Sequence, residues 1–76
     1  MTLDQLSLGR SAVVQAVGTD SANRRRLMDL GLLPGTTIQC AMVSPLGDPK
    51  AFEIRGALIA LRKSQTQHIE IQEVLP

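Results

Sequence analysis

Residues 24–35, which read RRRLMDLGLLPG, place the end of a helix beside the start of a β-rich segment. Leu27 and Leu30 lie three positions apart, and this spacing puts both side chains on one face of a helix. The helix also needs an N-terminal cap, because its first N–H groups have no helical partners. Side-chain oxygens that can cap it precede the stretch on Thr19, Asp20 and Ser21. The sequence therefore predicts a helix that begins at these residues and buries both leucines.

The predicted helix stops at Gly31. Glycine can adopt the left-handed conformation that returns N–H groups to the last helical carbonyls, and Leu32 follows in the position for the hydrophobic contact that often accompanies such a cap. Pro34 fixes φ at the first corner of a turn, and Gly35 tolerates a positive φ at the second. A new element is therefore expected to begin at Thr36.

Two strands flank this helix in the prediction. Residues 11–17 are small or β-branched, which suits a strand, and the adjacent Val13 and Val14 indicate either a bulge or burial on both faces. Residues 36–43 alternate well. The side of this strand expected to face inward carries Ile38, Cys40 and Met42. Residues 45–49, PLGDP, are predicted to form a loop because two prolines lack the N–H groups that a ladder needs.

A hairpin and a last strand complete the predicted sheet. Gly56 gives a tight connection between the strand that precedes it and residues 57–62, as in an antiparallel hairpin. Residues 63–67 are polar and predict a turn, and residues 68–74 predict the fifth strand. The inward side chains are expected to be Phe52, Ile54, Ile69 and Ile71, with His68, Glu70 and Gln72 outward.

These elements predict a mainly β fold over a single domain, residues 1–76. Closing a short sheet removes exposed strand edges, so we expect a small SH3-like five-stranded barrel with one short α-helix inserted between strands 1 and 2. Thr2 and Gln5 have the spacing of a capping box and predict a helical turn at the N-terminus. The apolar side of that turn, Leu3 and Leu6, is expected to cover the core.

The composition of the chain excludes several classes of function. Eight Lys and Arg oppose seven Asp and Glu, a net charge of +1, whereas proteins that bind nucleic-acid phosphates are usually far more basic. Phe52 is the only aromatic residue, so neither base stacking nor an aromatic groove for proline-rich peptides is expected. Residues 57–61, the longest apolar run after the start, fall far below the about 20 residues of a membrane-spanning helix. No secretory signal is visible and the lone Cys40 has no disulfide partner, so a cytoplasmic location is predicted.

Reactive side chains form no recognisable site in the sequence. Neither GxGxxG nor GxxxxGK[ST] occurs, so no phosphate-binding loop is expected. Cys40 shares a strand face with apolar neighbours, where a thiol behaves as a small hydrophobic group. His68 is predicted on another strand, and the pair it makes with Glu70 could hold an ion only weakly, so a solvated strand face is favoured. We therefore predict no catalytic residue, no metal ligand, no cofactor and no enzymatic activity.

The arginine run at residues 24–26 has two interpretations. It forms a solvated helix face on which Arg25 pairs with Asp29, or it forms a docking surface for an acidic partner, since guanidinium groups bind carboxylates in a bidentate way. Leu46, at the tip of the PLGDP loop, either folds back over the barrel mouth or stays exposed as an anchor. The candidate partner-binding residues are Arg24, Arg25, Arg26, Met28, Leu32, Leu33 and Leu46.

Three segments of the chain, taken in order, resemble the FeoA family. They are RLMDLGLLPG at residues 26–35, PLGDP at residues 45–49 and ALRK at residues 60–63. Proteins of this family are small cytoplasmic proteins that accompany the bacterial ferrous iron transporter FeoB. The resemblance extends from about Leu6 to Val74 and implies an SH3-like domain.

The resemblance implies a non-enzymatic accessory protein that binds the cytoplasmic portion of FeoB and regulates or assembles that transporter. Whether such a protein alters nucleotide hydrolysis by the transporter, and in what oligomeric state it acts, stays open. A shorter pattern, RRLxxLGLxPG, also occurs in SH3-like domains of iron-responsive transcription repressors. A regulatory domain of that kind is the alternative function.

Overall fold

A computed structural model describes residues 1–18 and 20–74 of the chain. Five strands, one α-helix and two short helical turns follow the predicted order. The elements are a 3₁₀ turn Leu3–Gln5, β1 Ser11–Val17, α1 Ser21–Asp29, β2 Thr37–Val43, β3 Lys50–Ile54, β4 Ala57–Leu61, α2 Lys63–Thr66 and β5 Ile69–Val74. The predicted mainly β fold, with a helix between the first two strands and a helical turn at the N-terminus, is confirmed.

All strand pairs are antiparallel, and the strands lie in the order β4-β3-β2-β1-β5. In the part of the chain that the structure describes, β4 and β5 are the two outer strands and no ladder joins them. The pairing is therefore a row of five strands, and the expected closure of the sheet, complete or nearly complete, is not part of the described ladders.

The N-terminal segment covers the outer edge of β5. The Ile71 N–H donates to the Met1 carbonyl at 2.8 Å, and Thr2 forms an isolated bridge with Glu70. The Thr2 N–H in turn donates to Gln5 Oε1 at 3.1 Å, as the capping box predicts. This segment therefore satisfies backbone groups that an outer strand would otherwise expose.

Helix α1 begins at an Asp20 cap. The Asn23 backbone N–H donates to Asp20 Oδ1 at 3.0 Å, and this hydrogen bond lowers the pKa of the Asp20 carboxyl because it favours the charged form. Thr19, another predicted cap, lies outside the described residues. A side-chain cap at this helix start is therefore confirmed at Asp20.

The end of α1 forms a Schellman motif around Gly31. Gly31 has φ +105° and donates its N–H to the Met28 carbonyl at 3.0 Å, while the Leu32 N–H donates to the Leu27 carbonyl at 3.1 Å. The motif turns the chain back and buries Leu32 completely. The predicted helix stop at Gly31 is confirmed.

This same geometry corrects two predictions. Leu30 is the C-cap residue and 38% exposed, so it does not share the buried face of Leu27. Leu32 takes the inward position because the left-handed Gly31 reverses the chain just before it. Leu32 is therefore a core residue, and its place among the candidate partner-binding residues was wrong.

A β-bulge corrects the prediction for β2. Ile38 and Cys40 are buried as expected, but the register with β3 shifts between Cys40 and Met42. An extra residue in one strand reverses the alternation beyond it. Met42 is therefore 58% exposed, although simple alternation placed it inward. In β1 the pairing with β5 also shifts, between Val14 and Ala16, so the strand carries a bulge, one of the two alternatives that the sequence allowed, directly after the Val13-Val14 pair.

Residues 63–66 form a short helix where a polar turn was predicted. Gln65 Oε1 accepts the Arg62 N–H at 3.0 Å, and Asp48 Oδ1 accepts the Lys63 N–H at 2.9 Å, so two N–H groups at the helix start are satisfied by side chains. Thr66 is buried against the N-terminal side of the domain. Because residues 63–67 are polar, the sequence did not indicate that Thr66 would be buried.

The core is aliphatic apart from one phenylalanine and one thiol. Each strand contributes inward side chains, while α1 and the segment after it contribute two leucines. The buried residues are Leu3, Leu6, Ala12, Val14, Val17, Leu27, Leu32, Ile38, Cys40, Phe52, Ile54, Leu61, Ile69 and Ile71. The predicted inward positions of β3 and β5 are confirmed by this set.

Candidate functional site

Reactive side chains are dispersed over the molecule. Within residues 1–18 and 20–74, no group of three or more His, Cys, Asp and Glu side chains is placed to hold a metal ion. His68 lies exposed just before β5, whereas Cys40 lies in the core on β2. The two side chains therefore cannot act on one bound group.

Cys40 is fully buried among aliphatic side chains. Burial raises the pKa of its thiol above the ordinary value of 9.0, and nearby Lys50 only partly opposes this shift. The thiolate is the nucleophilic form, so a raised pKa and burial both make the sulfur unreactive.

We expect Cys40 in the folded chain to react with a thiol reagent at least about 100-fold more slowly than in denaturant, because labelling requires opening of the core. The folded pKa exceeds the unfolded pKa, so the unfolded state loses its proton first as the pH rises. Stability is therefore expected to fall above about pH 9 for the wild type, and less so for Cys40→Ala. The rate at which the thiol reagent labels Cys40 at pH 8 checks the expected protection, and rapid labelling of the folded chain would contradict it.

Four of the candidate residues meet on one side of α1, and we call them the helix surface: Arg24, Arg25, Met28 and Leu33. Both arginines are exposed and Met28 and Leu33 are half-buried, and all four line a depression together with the exposed Asp29. Gln15, Ala16 and Pro34 line a second depression beside Arg24 and Met28. Arg26 is also exposed but does not line either depression. The helix surface thus combines two apolar side chains with two guanidinium groups, and the Asp29 carboxylate beside them leaves an excess of positive charge.

The arginines of α1 form no ion pair within the described residues. The ion pairs there join Arg10 to Glu73 at 2.6 Å and the N-terminal amine to Glu70 at 3.9 Å. The pair between Arg25 and Asp29, which the interpretation as a solvated face allowed, is absent from that part of the chain. A partner that removes water from these arginines would therefore not have to break an existing ion pair.

Leu46 is 95% exposed, which selects the exposed alternative of the two that the sequence allowed. The loop that carries it follows β2, whereas Leu33 and the turn after it precede β2. β2 has seven residues, or about 20 Å of extended chain. Leu46 therefore lies at the opposite end of β2 from the helix surface, and the two do not form one continuous patch.

The structure also shows an apolar face that the sequence did not reveal. Met42 lies opposite Ala51, and Ala51 opposite Ala60, so these side chains form a row on the outer face of β2, β3 and β4. Leu58 is 60% exposed on the same face. We call this face, together with Val43 and Pro45 at its border, the sheet surface; the residues that define it are Met42, Val43, Pro45, Ala51, Leu58 and Ala60.

Leu46 adjoins the sheet surface. Val43 and Lys50 line both the depression beside Leu46 and the one over the sheet surface. This face could not be predicted from the sequence, because the run ALIAL at residues 57–61 is apolar throughout and shows no alternation. Only the bulge in β2 and the register of β4 reveal which of these side chains point outward.

No helix within the described residues has the length and apolar character needed to cross a bilayer.

Five antiparallel strands in this order around an aliphatic core define a small SH3-like β-domain. The FeoA domain model matches residues 1–73. The chain belongs to the FeoA domain family, which is linked to ferrous iron transport. The resemblance noted in the sequence is confirmed.

Solved FeoA structures share the fold. FeoA from Chlorobium tepidum is 36% identical, with a TM-score of 0.91 over 99% of this chain and 71% of that protein. FeoA from Stenotrophomonas maltophilia, a procaryotic SH3 domain protein complexed with zinc, is 32% identical, with a TM-score of 0.84 over 95% of this chain and 89% of that one. Because the described residues of this chain contain no cluster of metal ligands, they do not fit a zinc site of three or more such side chains.

A curated relative joins this kind of domain to a transporter. The Fe(2+) transport protein A/Fe(2+) transporter FeoB fusion protein of Porphyromonas gingivalis is 31% identical over 72 residues, which cover 95% of this chain. The chain spans 8% of the length of that fusion protein.

Proposed function

We propose that this chain is a non-enzymatic, cytoplasmic accessory protein that binds a FeoB-type ferrous iron transporter and regulates or assembles it. The observation that carries the proposal is the fusion in Porphyromonas gingivalis, in which a domain similar to this chain and the transporter form one polypeptide. A covalent linker holds a domain at high effective concentration beside its partner. A separate chain with the same task must instead bind through its own surface.

The helix surface is the part of the molecule best suited to that binding. Protein interfaces have an apolar centre and a polar rim, and arginine is enriched in them. Met28 and Leu33 supply the apolar centre, and Arg24 and Arg25 supply guanidinium groups at its rim. The partner surface is expected to be acidic, because a planar guanidinium binds carboxylates in a bidentate way.

Arg26 and Leu46 extend the proposed contact beyond the helix surface. Arg26 adds charge on the same helix, which steers an acidic partner toward it. Leu46 lies about 20 Å away along β2, so it contributes only if the partner reaches along that strand. The domain measures 29 × 27 × 23 Å, so a partner surface of ordinary size, about 800 Å² on each side, can span that distance.

Reversing the charge of the helix surface tests the proposal. Arg24→Glu combined with Arg25→Glu is expected to weaken binding to the transporter at least about tenfold, or about 1.4 kcal/mol, because both groups would then repel an acidic partner. Binding of the purified chain to the detergent-solubilised transporter, measured at low and high salt, provides the readout. The difference between wild type and variant should shrink at high salt, where charges are screened.

The matched comparison is Arg25→Glu against Arg62→Glu, since both arginines are exposed and each change alters the charge equally. We expect Arg62→Glu to bind within about twofold of the wild type, because a remote surface charge contributes little. Leu46→Asp is expected to weaken binding while the fold stays intact, since Leu46 contacts mainly solvent. The proposed surface would be overturned if the folded double variant, Arg24→Glu with Arg25→Glu, bound the transporter at low salt with wild-type affinity.

A further inference from the structure

The outer edge of β4 exposes a regular set of backbone groups. A two-residue turn, Arg55 and Gly56, joins β3 to β4, and both residues have positive φ. Such a hairpin makes its flanking residues a hydrogen-bonded pair, and hydrogen-bonded pairs then recur at every second position. Ala57, Ile59 and Leu61 thus bond to β3, while Leu58 and Ala60 direct their N–H and C=O groups to the other side.

The two outer strands of the sheet differ in how their edges are protected. The edge of β5 is covered by the N-terminal segment, through Met1 and Thr2. The edge of β4 has no backbone partner among the described residues. Outer strands usually discourage pairing with charged side chains, proline or bulges, but β4 reads ALIAL and pairs with β3 without a register shift.

We propose that the outer edge of β4 pairs antiparallel with β4 of a second copy of this chain, about a two-fold axis at Ile59. In this register Leu58 lies opposite Ala60 of the second copy, Ala60 lies opposite Leu58, and Ile59 lies opposite itself. Both Leu–Ala pairs are then hydrogen-bonded pairs, so four hydrogen bonds form and satisfy every outward backbone group of both strands.

The side chains of β4 suit self-pairing in this register. Each large leucine meets a small alanine, which avoids crowding between directly opposed side chains. None of the five residues is charged, so pairing places no like charges opposite one another. The sheet surfaces of the two copies would also join, because Leu58 and Ala60 belong to them.

The contact is small, and this sets its strength. One pair of five-residue strand edges buries less surface than a stable interface, which buries at least about 1,200 Å². The dimer is therefore weak, and its population depends on protein concentration. Pairing of two β4 edges needs no transporter, so a variant can lose one of the two interactions and keep the other.

Sedimentation velocity of the full chain at increasing concentration tests self-association. We expect a concentration-dependent dimer for the wild type and at least about tenfold weaker dimerisation for Leu58→Lys, because lysine at an edge opposes pairing. Leu8→Lys is the matched control, since Leu8 is 61% exposed against 60% for Leu58 and lies outside β4. The control should dimerise like the wild type.

Cysteine cross-linking tests the register. Ile59→Cys places two thiols in a non-hydrogen-bonded pair with Cα atoms about 4.5 Å apart, within the range of a disulfide. Leu58→Cys places its thiols on a diagonal, with Cα atoms about 8 Å apart, so it should cross-link more slowly. Buried Cys40 supplies the background, measured in the wild type.

Three results would overturn the proposal. A wild-type chain that stays monomeric up to about 1 mM excludes the dimer. Faster cross-linking at position 58 than at position 59 excludes the register. A monomeric wild type whose transporter binding is lost in Leu58→Lys would assign this edge to the transporter, in place of a second copy.

Discussion

Phe52→Ala is expected to remove a large share of the folding free energy of the chain. Phe52 is the largest fully buried side chain, and replacing a buried phenylalanine by alanine costs about 3–5 kcal/mol through lost burial and the cavity that remains. A domain of 76 residues has about 4–11 kcal/mol of stability in total, at about 0.05–0.15 kcal/mol per residue. Urea denaturation followed by circular dichroism measures the loss.

Phe52→Leu is the control for this prediction. It keeps an apolar side chain of similar bulk, so its cost should stay below about 1.5 kcal/mol. A loss in Phe52→Ala no larger than in Phe52→Leu would show that the core collapses around the smaller side chain, which would contradict the expected cavity.

The position of Phe52 connects the core to the surfaces. Phe52 lies in β3 between Cys40 of β2 and Ile59 of β4 in the ladder. The outer face of the same three strands carries the sheet surface, including Met42 and Leu58. Loss of packing beneath these strands should therefore disturb both the sheet surface and the outer edge of β4. Surface variants, in contrast, leave this packing unchanged.

Much of the fold follows from local chemistry in the sequence. Gly31 and the Pro34-Gly35 turn act through their own backbone conformations, so the helix end and the start of β2 could be predicted closely. The hairpin at Gly56 follows in the same way. Bulges are different, because they depend on how two strands pair, and the shift at Met42 left no local signal.

The candidate site was less predictable because exposure depends on tertiary packing. Arg24, Arg25, Met28 and Leu33 do share one surface, as their positions on and after the helix indicate. Leu32 belongs to the core, since the Schellman turn brings it inward. The outward positions of Leu58 and Ala60 depend on the register of β4, and an uninterrupted apolar run does not encode that register.

Gly31→Ala is expected to destabilise the chain by about 2–4 kcal/mol, for two separable reasons. Gly31 has φ +105°, a conformation that costs an L-residue about 1–2 kcal/mol. A Cβ there would also lie 3.1 Å from Ile54 Cγ2, so the Ile54 side chain must move slightly to admit it. Thermal or urea unfolding of the purified variant measures the sum of both effects.

Gly35→Ala separates the two costs. Gly35 has φ +90°, but a Cβ there would meet nothing within 4 Å, so only the backbone cost of about 1–2 kcal/mol is expected. The excess in Gly31→Ala then measures the contact with Ile54. Equal losses of stability in the two variants would show that Ile54 moves aside without cost.

The N–H of Gly31 donates to a carbonyl at the end of α1, so Gly31→Ala should also speed amide exchange along that helix. The helix that carries Arg24 and Arg25 would then be less rigid, although neither arginine is changed.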